Sequence, residues 1–165
     1  MTPGYFSKDS LDLLSKFSEY AVQYLIVGGE AVIYYGYPRF TGDIDIFYER
    51  TPENVNRLWK ALNAFWGDDV PGVQDPSELL EEGAVIQFGV PPNRLDLINT
   101  IDGVSFQNAW ENRITEDIVI SGGKIIIYYI SLDDLIRNKK AVSRNKDLDD
   151  LRYLERKKNE SNTPS

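Results

Sequence analysis

Residues 24–48 constrain the fold more than any other part of the chain. They read YLIVGGEAVIYYGYPRFTGDIDIFY. A short apolar run ends at Gly28 and Gly29, a segment compatible with a helix follows, and Asp43 and Asp45 then alternate with apolar residues. This order predicts a strand, a helix and a second strand. Because successive side chains of a strand point to opposite faces, both aspartates are expected on one face of the sheet.

The remaining sequence continues the alternation of helical and extended patterns. Helices are predicted over residues 7–22, 30–37, 52–66, 106–113, 132–142 and 146–157. Strands are predicted over 24–27, 43–48, 84–90, 94–101, 114–120 and 124–130, the last two joined by a glycine turn. We therefore expect an α+β (α/β) fold with a mixed sheet and flanking helices. A single domain over 1–158 and a flexible tail over 159–165 are predicted.

The absence of two residue types limits the chemistry. The chain contains no cysteine and no histidine, which excludes disulfides, thiol nucleophiles, imidazole bases and zinc sites built from these side chains. A bound metal would have oxygen ligands, which suit Mg²⁺ or Mn²⁺. No stretch approaches the roughly 18 apolar residues of a membrane span, and no signal peptide is visible, so a cytoplasmic location without a membrane partner is expected.

Positive charge is concentrated near the end of the sequence. The net charge is −8, which argues against a dedicated nucleic-acid-binding protein. Residues 137–158 nevertheless contain nine basic and four acidic side chains. This segment is the best candidate for binding an anion.

A third aspartate repeats the pattern of the first two. Asp96 alternates with leucines in RLDLI, and it would join Asp43 and Asp45 if the two strands were adjacent. Three such carboxylates would repel one another unless a cation neutralises them. One or two divalent ions are expected there, as in enzymes that act on triphosphates. A solvated polar strand face and a metal site of a sugar transferase are the alternatives for Asp-x-Asp alone.

Taken together, these motifs resemble the nucleotidyltransferase superfamily with the DNA polymerase beta-like fold. That family has a strand, Gly-Gly or Gly-Ser, a helix, an Asp-x-Asp strand and a third acid on a later strand. The segments RFTGDIDIF, RLDLINTIDGVSFQNAW and ISLDDLIRNKKAVSRNKDLDDLRYL are similar to small bacterial single-domain members, including those related to abortive-infection (AbiEii-type) toxins. The resemblance covers roughly residues 20–155.

The resemblance implies transfer of a nucleoside monophosphate from an NTP to a hydroxyl, with release of pyrophosphate. It implies that Asp43 and Asp45 bind the metal ions, and that Asp96 completes the second metal site and helps to deprotonate the acceptor. Gly28 and Gly29 would let the backbone approach the β- and γ-phosphates. Many members have Ser where this chain has Gly29, so one hydroxyl contact to phosphate is missing.

Several basic or polar side chains are candidates for nucleotide binding. Lys139 shares a helical face with three apolar residues, so its ammonium needs an anion nearby or must extend to water. We expect it to reach the triphosphate, with Arg144 and Lys146 as further candidates. Arg39 and Thr41 precede the Asp-x-Asp strand, where they would contact phosphate or hold the loop.

Three functions are compatible with these patterns. The first is a metal-dependent nucleotidyltransferase, acting alone or as the toxin of a toxin–antitoxin pair. The second is a non-catalytic nucleotide-binding or regulatory module of the same fold, and the third is an antitoxin-like binding protein. The acceptor of a transferase would be a tRNA, a small molecule or another protein.

Overall fold

The computed structural model describes residues 6–37, 43–90, 93–142 and 145–162. Its helices are α1 (Lys8–Glu19), α2 (Gly28–Tyr34), α3 (Pro52–Trp66), α4 (Ser77–Leu80), α5 (Phe106–Glu111), α6 (Leu132–Val142) and α7 (Asn145–Asn162). Its strands are β1 (Tyr24–Val27), β2 (Asp43–Tyr48), β3 (Val85–Phe88), β4 (Arg94–Ile98), β5 (Ile114–Ile120) and β6 (Gly123–Tyr129). The predicted order of elements is confirmed, with α4 added.

The six strands form one mixed sheet in the order β3-β4-β2-β1-β6-β5. Strand β2 lies antiparallel to β1 and parallel to β4. Two antiparallel pairs, β3 with β4 and β5 with β6, form the two ends of the sheet. The mixed sheet with flanking helices confirms the predicted α+β fold class, and its order places the Asp-x-Asp strand beside β4.

Local sequence signals explain why the helix α3 begins and ends where it does. The hydroxyl of Thr51 accepts a hydrogen bond from the backbone N–H of Asn54, and Pro52 occupies the first turn. Gly67 ends the helix in the left-handed conformation. Only residues 49–51 separate β2 from this helix, so the capped first turn also fixes the position of the strand that carries the aspartates.

The hydrophobic core lies behind the aspartates. Ile44 and Ile46 of β2 are buried, and Leu97 of β4 is fully buried beside them. Since side chains alternate along a strand, Asp43 and Asp45 project from the opposite face, where both are partly exposed. The predicted separation of apolar and acidic faces in β2 is confirmed.

Several helix boundaries differ from those predicted: α1 ends at Glu19 instead of residue 22, α2 ends at Tyr34 instead of residue 37, and α5 ends at Glu111 instead of residue 113. Helix α2 begins at Gly28, not at residue 30, because glycine in the left-handed conformation is compatible with the sharp change from strand to helix. Helix α7 continues to Asn162 rather than ending at residue 157. In the described part of the chain, none of the helices has the length and apolar character required to cross a membrane.

Candidate active site

Strands β2 and β4 bring the three predicted carboxylates to one surface. The strands are parallel, and Asp45 lies directly opposite Asp96. Asp43 is two residues before Asp45 and therefore projects from the same face. The predicted adjacency of Asp96 to the Asp-x-Asp strand is confirmed, although β3 lies between these strands in the sequence.

An arginine that the sequence analysis did not single out completes this cluster. Arg94 lies opposite Asp43 in the register of the two strands. Its Nη2 donates a hydrogen bond to Asp43 Oδ2 at 2.6 Å, and its Nε lies 3.3 Å from Asp96 Oδ1. The same Nη2 also contacts Asp96 Oδ2 at 3.4 Å. Its position two residues before Asp96 on the same strand was the signal that could have revealed it.

The electrostatic environment differs among the acids. The pKa of Asp45 is raised to about 6, chiefly by burial and also by the nearby charges of Asp96 and Asp43, against the opposing effects of Lys139 and Arg94. Burial also raises the pKa of Asp96, whereas Arg94 opposes that shift. The ionised form of Asp45 is therefore disfavoured in the protein, and a cation bound near its carboxylate would stabilise it.

Gly28 forms the wall beside Asp45. Its φ is +64°, and a Cβ atom added to it would overlap Oδ2 of Asp45. Val27, the residue before it, is the register partner of Asp45 in β1. Gly29 follows as a buried residue in the first turn of α2. The backbone at the predicted phosphate site thus lies directly against a carboxylate, where a side chain would not fit.

Lys139 lies in a second group of charges. Its Nζ lies 2.8 Å from Asp147 Oδ1 and 3.2 Å from Asp150 Oδ2, and all three side chains are buried. The expectation that the ammonium has an anion nearby is confirmed, because two aspartates of α7 supply it. The alternative that Lys139 extends into water is wrong. A contact from Lys139 to a triphosphate stays a prediction.

One cleft of about 420 Å³ connects the two charged groups. Its wall includes Gly28, Asp45, Lys139 and Asp147. The remaining lining residues come from the ends of β1 and β4, the loop after β4 and α6, and they are Val27, Ile98, Thr100, Ile101, Asp102, Asn138 and Val142. The cleft therefore offers carboxylates, an ammonium and a glycine backbone to a single ligand.

The carboxylate cluster suits a hard divalent cation by its chemistry. Asp43, Asp45 and Asp96 provide oxygen ligands on adjacent strands, and the pKa of Asp45 is raised by burial first and by the charges of the other two acids second. Within the part of the chain that the structure describes, however, no three acidic side chains stand close enough to enclose a metal ion. Arg94 engages two of the three acids, and this pairing leaves fewer oxygens available to a metal.

The structure does not test the other predicted nucleotide-binding residues. Arg39, Thr41 and Arg144 lie outside the described residues, and Lys146 is described only as a backbone position of α7. Their roles remain predictions.

Comparison with known proteins agrees with this geometry. Residues 8–156 match the DUF6036 family, which is described as a nucleotidyltransferase of unknown function. No curated protein matches the chain. The match spans nearly all of the sequence, including both strands that carry the acids and the helices that carry the buried lysine. The chain therefore belongs to the DUF6036 family of nucleotidyltransferases.

Proposed function

We propose that this nucleotidyltransferase moves a nucleoside monophosphate from an NTP to a hydroxyl acceptor with the help of Mg²⁺ or Mn²⁺. The observation that carries the proposal is the direct pairing of Asp45 with Asp96 across parallel strands, with Asp43 on the same face. Gly28 and Lys139 line the cleft that opens beside Asp45. Together these residues would supply oxygen ligands to a divalent cation and a place for a triphosphate.

In the proposed reaction, the acceptor oxygen attacks the α-phosphorus of the NTP. A new O–P bond forms, the bond from the α-phosphorus to the oxygen bridging to the β-phosphorus breaks, and pyrophosphate leaves. Asp96 accepts the hydroxyl proton and later returns it to water. The upward shift in the pKa of Asp96 makes it a better proton acceptor than an ordinary carboxylate.

Each of the other residues has a distinct part in this proposal. Asp43, Asp45 and Asp96 would hold the divalent ion, which would neutralise phosphate charge and make the acceptor hydroxyl more acidic. Gly28 allows the nucleotide to approach the backbone, because any side chain there would overlap Asp45. Lys139 places a positive charge on the wall of the same cleft.

The first prediction tests the transfer itself. The protein would be incubated with Mg²⁺, cell extract and NTPs labelled at the α- or the γ-phosphate. Label from the α-position should appear on an acceptor, whereas label from the γ-position should leave with pyrophosphate. The variants Asp43→Asn and Asp45→Asn should each reduce transfer by about 100-fold or more, because they weaken the ligand set for the cation.

Asp117→Asn is the matched control for these variants. Asp117 is also a strand aspartate, but it lies on β5, is exposed and pairs with Lys124 at 3.2 Å. The variant Asp117→Asn should transfer label at a rate within about twofold of the wild type. Full activity in either Asp43→Asn or Asp45→Asn, or transfer of the γ-label, would contradict the proposal.

A non-catalytic nucleotide-binding module of the same fold is the second candidate. The observation that favours it is the pairing of Arg94 with two of the three acids. Calorimetry with ATP, GTP, CTP and UTP, each with and without Mg²⁺, measures binding, and a pyrophosphate assay measures turnover. Binding without turnover in the presence of extract would support the module instead of the transferase.

The same labelling experiment identifies the acceptor. We propose a tRNA, a small molecule or a protein hydroxyl, and the labelled species in the extract distinguishes the three. The resemblance to abortive-infection toxins supports a further role as the toxin of a toxin–antitoxin pair. Arrest of cell growth on expression, relieved by a co-purifying partner protein, is the result expected for such a toxin.

A further inference from the structure

Arg94 occupies the position in the carboxylate cluster where a metal ion would have to compete with it. The guanidinium extends across two strands, from its register partner Asp43 to Asp96, its neighbour two residues along β4. Both Asp96 oxygens and Asp43 Oδ2 lie within 3.4 Å of it. These oxygens belong to two of the three residues proposed to hold the divalent cation.

The pairing is well suited to exchange. The side chains of Arg94 and Asp43 are 30% and 29% exposed, so water can replace the contact between them when it breaks, whereas Arg94 Nε and Asp96 Oδ1 are buried. Ion pairs at such positions contribute little to folding, typically up to about 1 kcal/mol. A divalent cation has twice the charge of a guanidinium and prefers carboxylate oxygens, so it can replace the arginine without a large loss of stability.

The balance of charge also favours one cation at a time. Asp43, Asp45 and Asp96 carry three negative charges when ionised, and Arg94 offsets one of them. Without a metal and without Arg94, the three acids would repel one another across adjacent strands. With both cations present, the guanidinium would lie beside the metal and be repelled by it.

We propose that Arg94 is a resident counterion of the acidic cluster, which a divalent cation displaces when it binds. This inference rests on the proposed function for the identity of the metal site. In the metal-free protein Arg94 pairs with both Asp43 and Asp96 and offsets one negative charge. When the cation takes these carboxylates, the guanidinium leaves them, so the apparent affinity for metal includes the cost of breaking both pairs.

Metal binding by the intact protein tests this competition. Mn²⁺ would be titrated into wild type and Arg94→Gln, with free Mn²⁺ measured by electron paramagnetic resonance. Arg94→Gln should bind Mn²⁺ about five- to tenfold more tightly, because no pairing has to be broken. Its melting temperature should be lower than that of wild type without metal and should rise more on addition of Mn²⁺.

Two further variants make the result specific to Arg94. Arg50→Gln removes an arginine that contacts the carbonyl of Leu80 and Glu82, away from the acidic cluster. It should leave Mn²⁺ affinity unchanged. Arg94→Lys keeps the charge but loses the two-pronged geometry, so its affinity should lie between those of wild type and Arg94→Gln. If Arg94→Gln does not fold without metal, the comparison of Arg94→Lys with wild type decides.

The competition would be overturned if Arg94→Gln and Arg94→Lys bound Mn²⁺ no more tightly than wild type does. It would also be overturned if none of the proteins tested bound Mn²⁺. The transfer assay gives an independent result for the proposed function. Tighter Mn²⁺ binding in Arg94→Gln, combined with no transfer by the wild type, would support the inference and reject the enzymatic function.

Discussion

Among the residues that the structure describes, two groups of charges each place one basic side chain against two aspartates. In the strand cluster, Arg94 contacts Asp43 and Asp96, and its side chain is 30% exposed. In the helix cluster, formed by Lys139, Asp147 and Asp150, the lysine side chain is only 5% exposed. The composition is similar, but the surroundings differ.

Because of this difference in burial, we expect one cluster to exchange its cation and the other to keep it. A buried charge that loses its partner cannot recover its interactions with water, whereas a partly exposed one can. The strand cluster can therefore release its arginine and accept another cation. The helix cluster joins α6 to α7 and holds the Lys139 ammonium on the wall of the cleft, so it should persist throughout the catalytic cycle.

The largest effect on folding is expected from breaking the helix cluster. Lys139→Met leaves two buried carboxylates without the ammonium, and it should lower the free energy of unfolding by about 3–5 kcal/mol. Urea denaturation of the metal-free protein measures this change. Lys140→Met is the control, because Lys140 is exposed and pairs with Glu155 at 3.2 Å. It should cost at most about 1 kcal/mol.

The comparison would fail if both lysine variants lost similar amounts of stability. Such a result would mean that the helix cluster, despite its burial, contributes no more to stability than a surface ion pair does.

A smaller effect of opposite sign is expected in the strand cluster. Asp45 has a raised pKa of about 6 against an ordinary value of 3.8. As the pH rises from about 4 to about 6, the unfolded chain loses this proton before the folded protein does, so the wild type loses stability across that window. Asp45→Asn carries no such penalty and should be about 3 kcal/mol more stable than wild type at about pH 8.

Urea denaturation at a series of pH values, without metal, measures this difference. The gain in stability of Asp45→Asn should fade as the pH falls towards about 4, because Asp45 of the folded wild type is then protonated and carries no charge either. Asp117→Asn serves again as the control, because its exposed carboxylate should give no gain of this size. A gain that is independent of pH would show that the charge of Asp45 is not what destabilises the cluster.

The sequence predicted the local features of the site better than its long-range ones. Alternation along β2 was enough to place Asp43 and Asp45 on one face, because strand geometry depends only on neighbouring residues. The pairing of Asp45 with Asp96 depends on β4 lying beside β2 while β3 lies outside, and no local pattern specifies that order. The same alternation within RLDLI would have placed Arg94 beside Asp96.

Lys139 shows the same limit in the helices. Helical spacing predicted that its ammonium needs an anion, but the choice between a bound phosphate and an aspartate depends on how α7 packs against α6. Asp147 and Asp150 are three residues apart and share one face of α7, which was a usable signal. The contact itself follows from tertiary packing.

The smallest predicted effect tests how closely the glycine backbone and the strand cluster depend on each other. Gly28→Ala has to adopt a φ of +64° and also displace the carboxylate of Asp45, whose Cγ and Cβ lie 3.2 and 3.3 Å from the added methyl group. Gly67→Ala is a matched control with a φ of +61° and no atom within 4 Å. Both should incur the conformational cost of about 1 kcal/mol, and Gly28→Ala should lose about 1 kcal/mol more.

A double-mutant cycle assigns the additional loss to its cause. If the methyl group acts through Asp45, then Asp45→Ala should remove most of the difference between Gly28→Ala and Gly67→Ala, because the atoms that clash are gone. Mn²⁺ binding should weaken in Gly28→Ala and remain unchanged in Gly67→Ala. Equal losses of stability in the two glycine variants would show that Asp45 moves aside freely, and that the glycine matters for its backbone conformation alone.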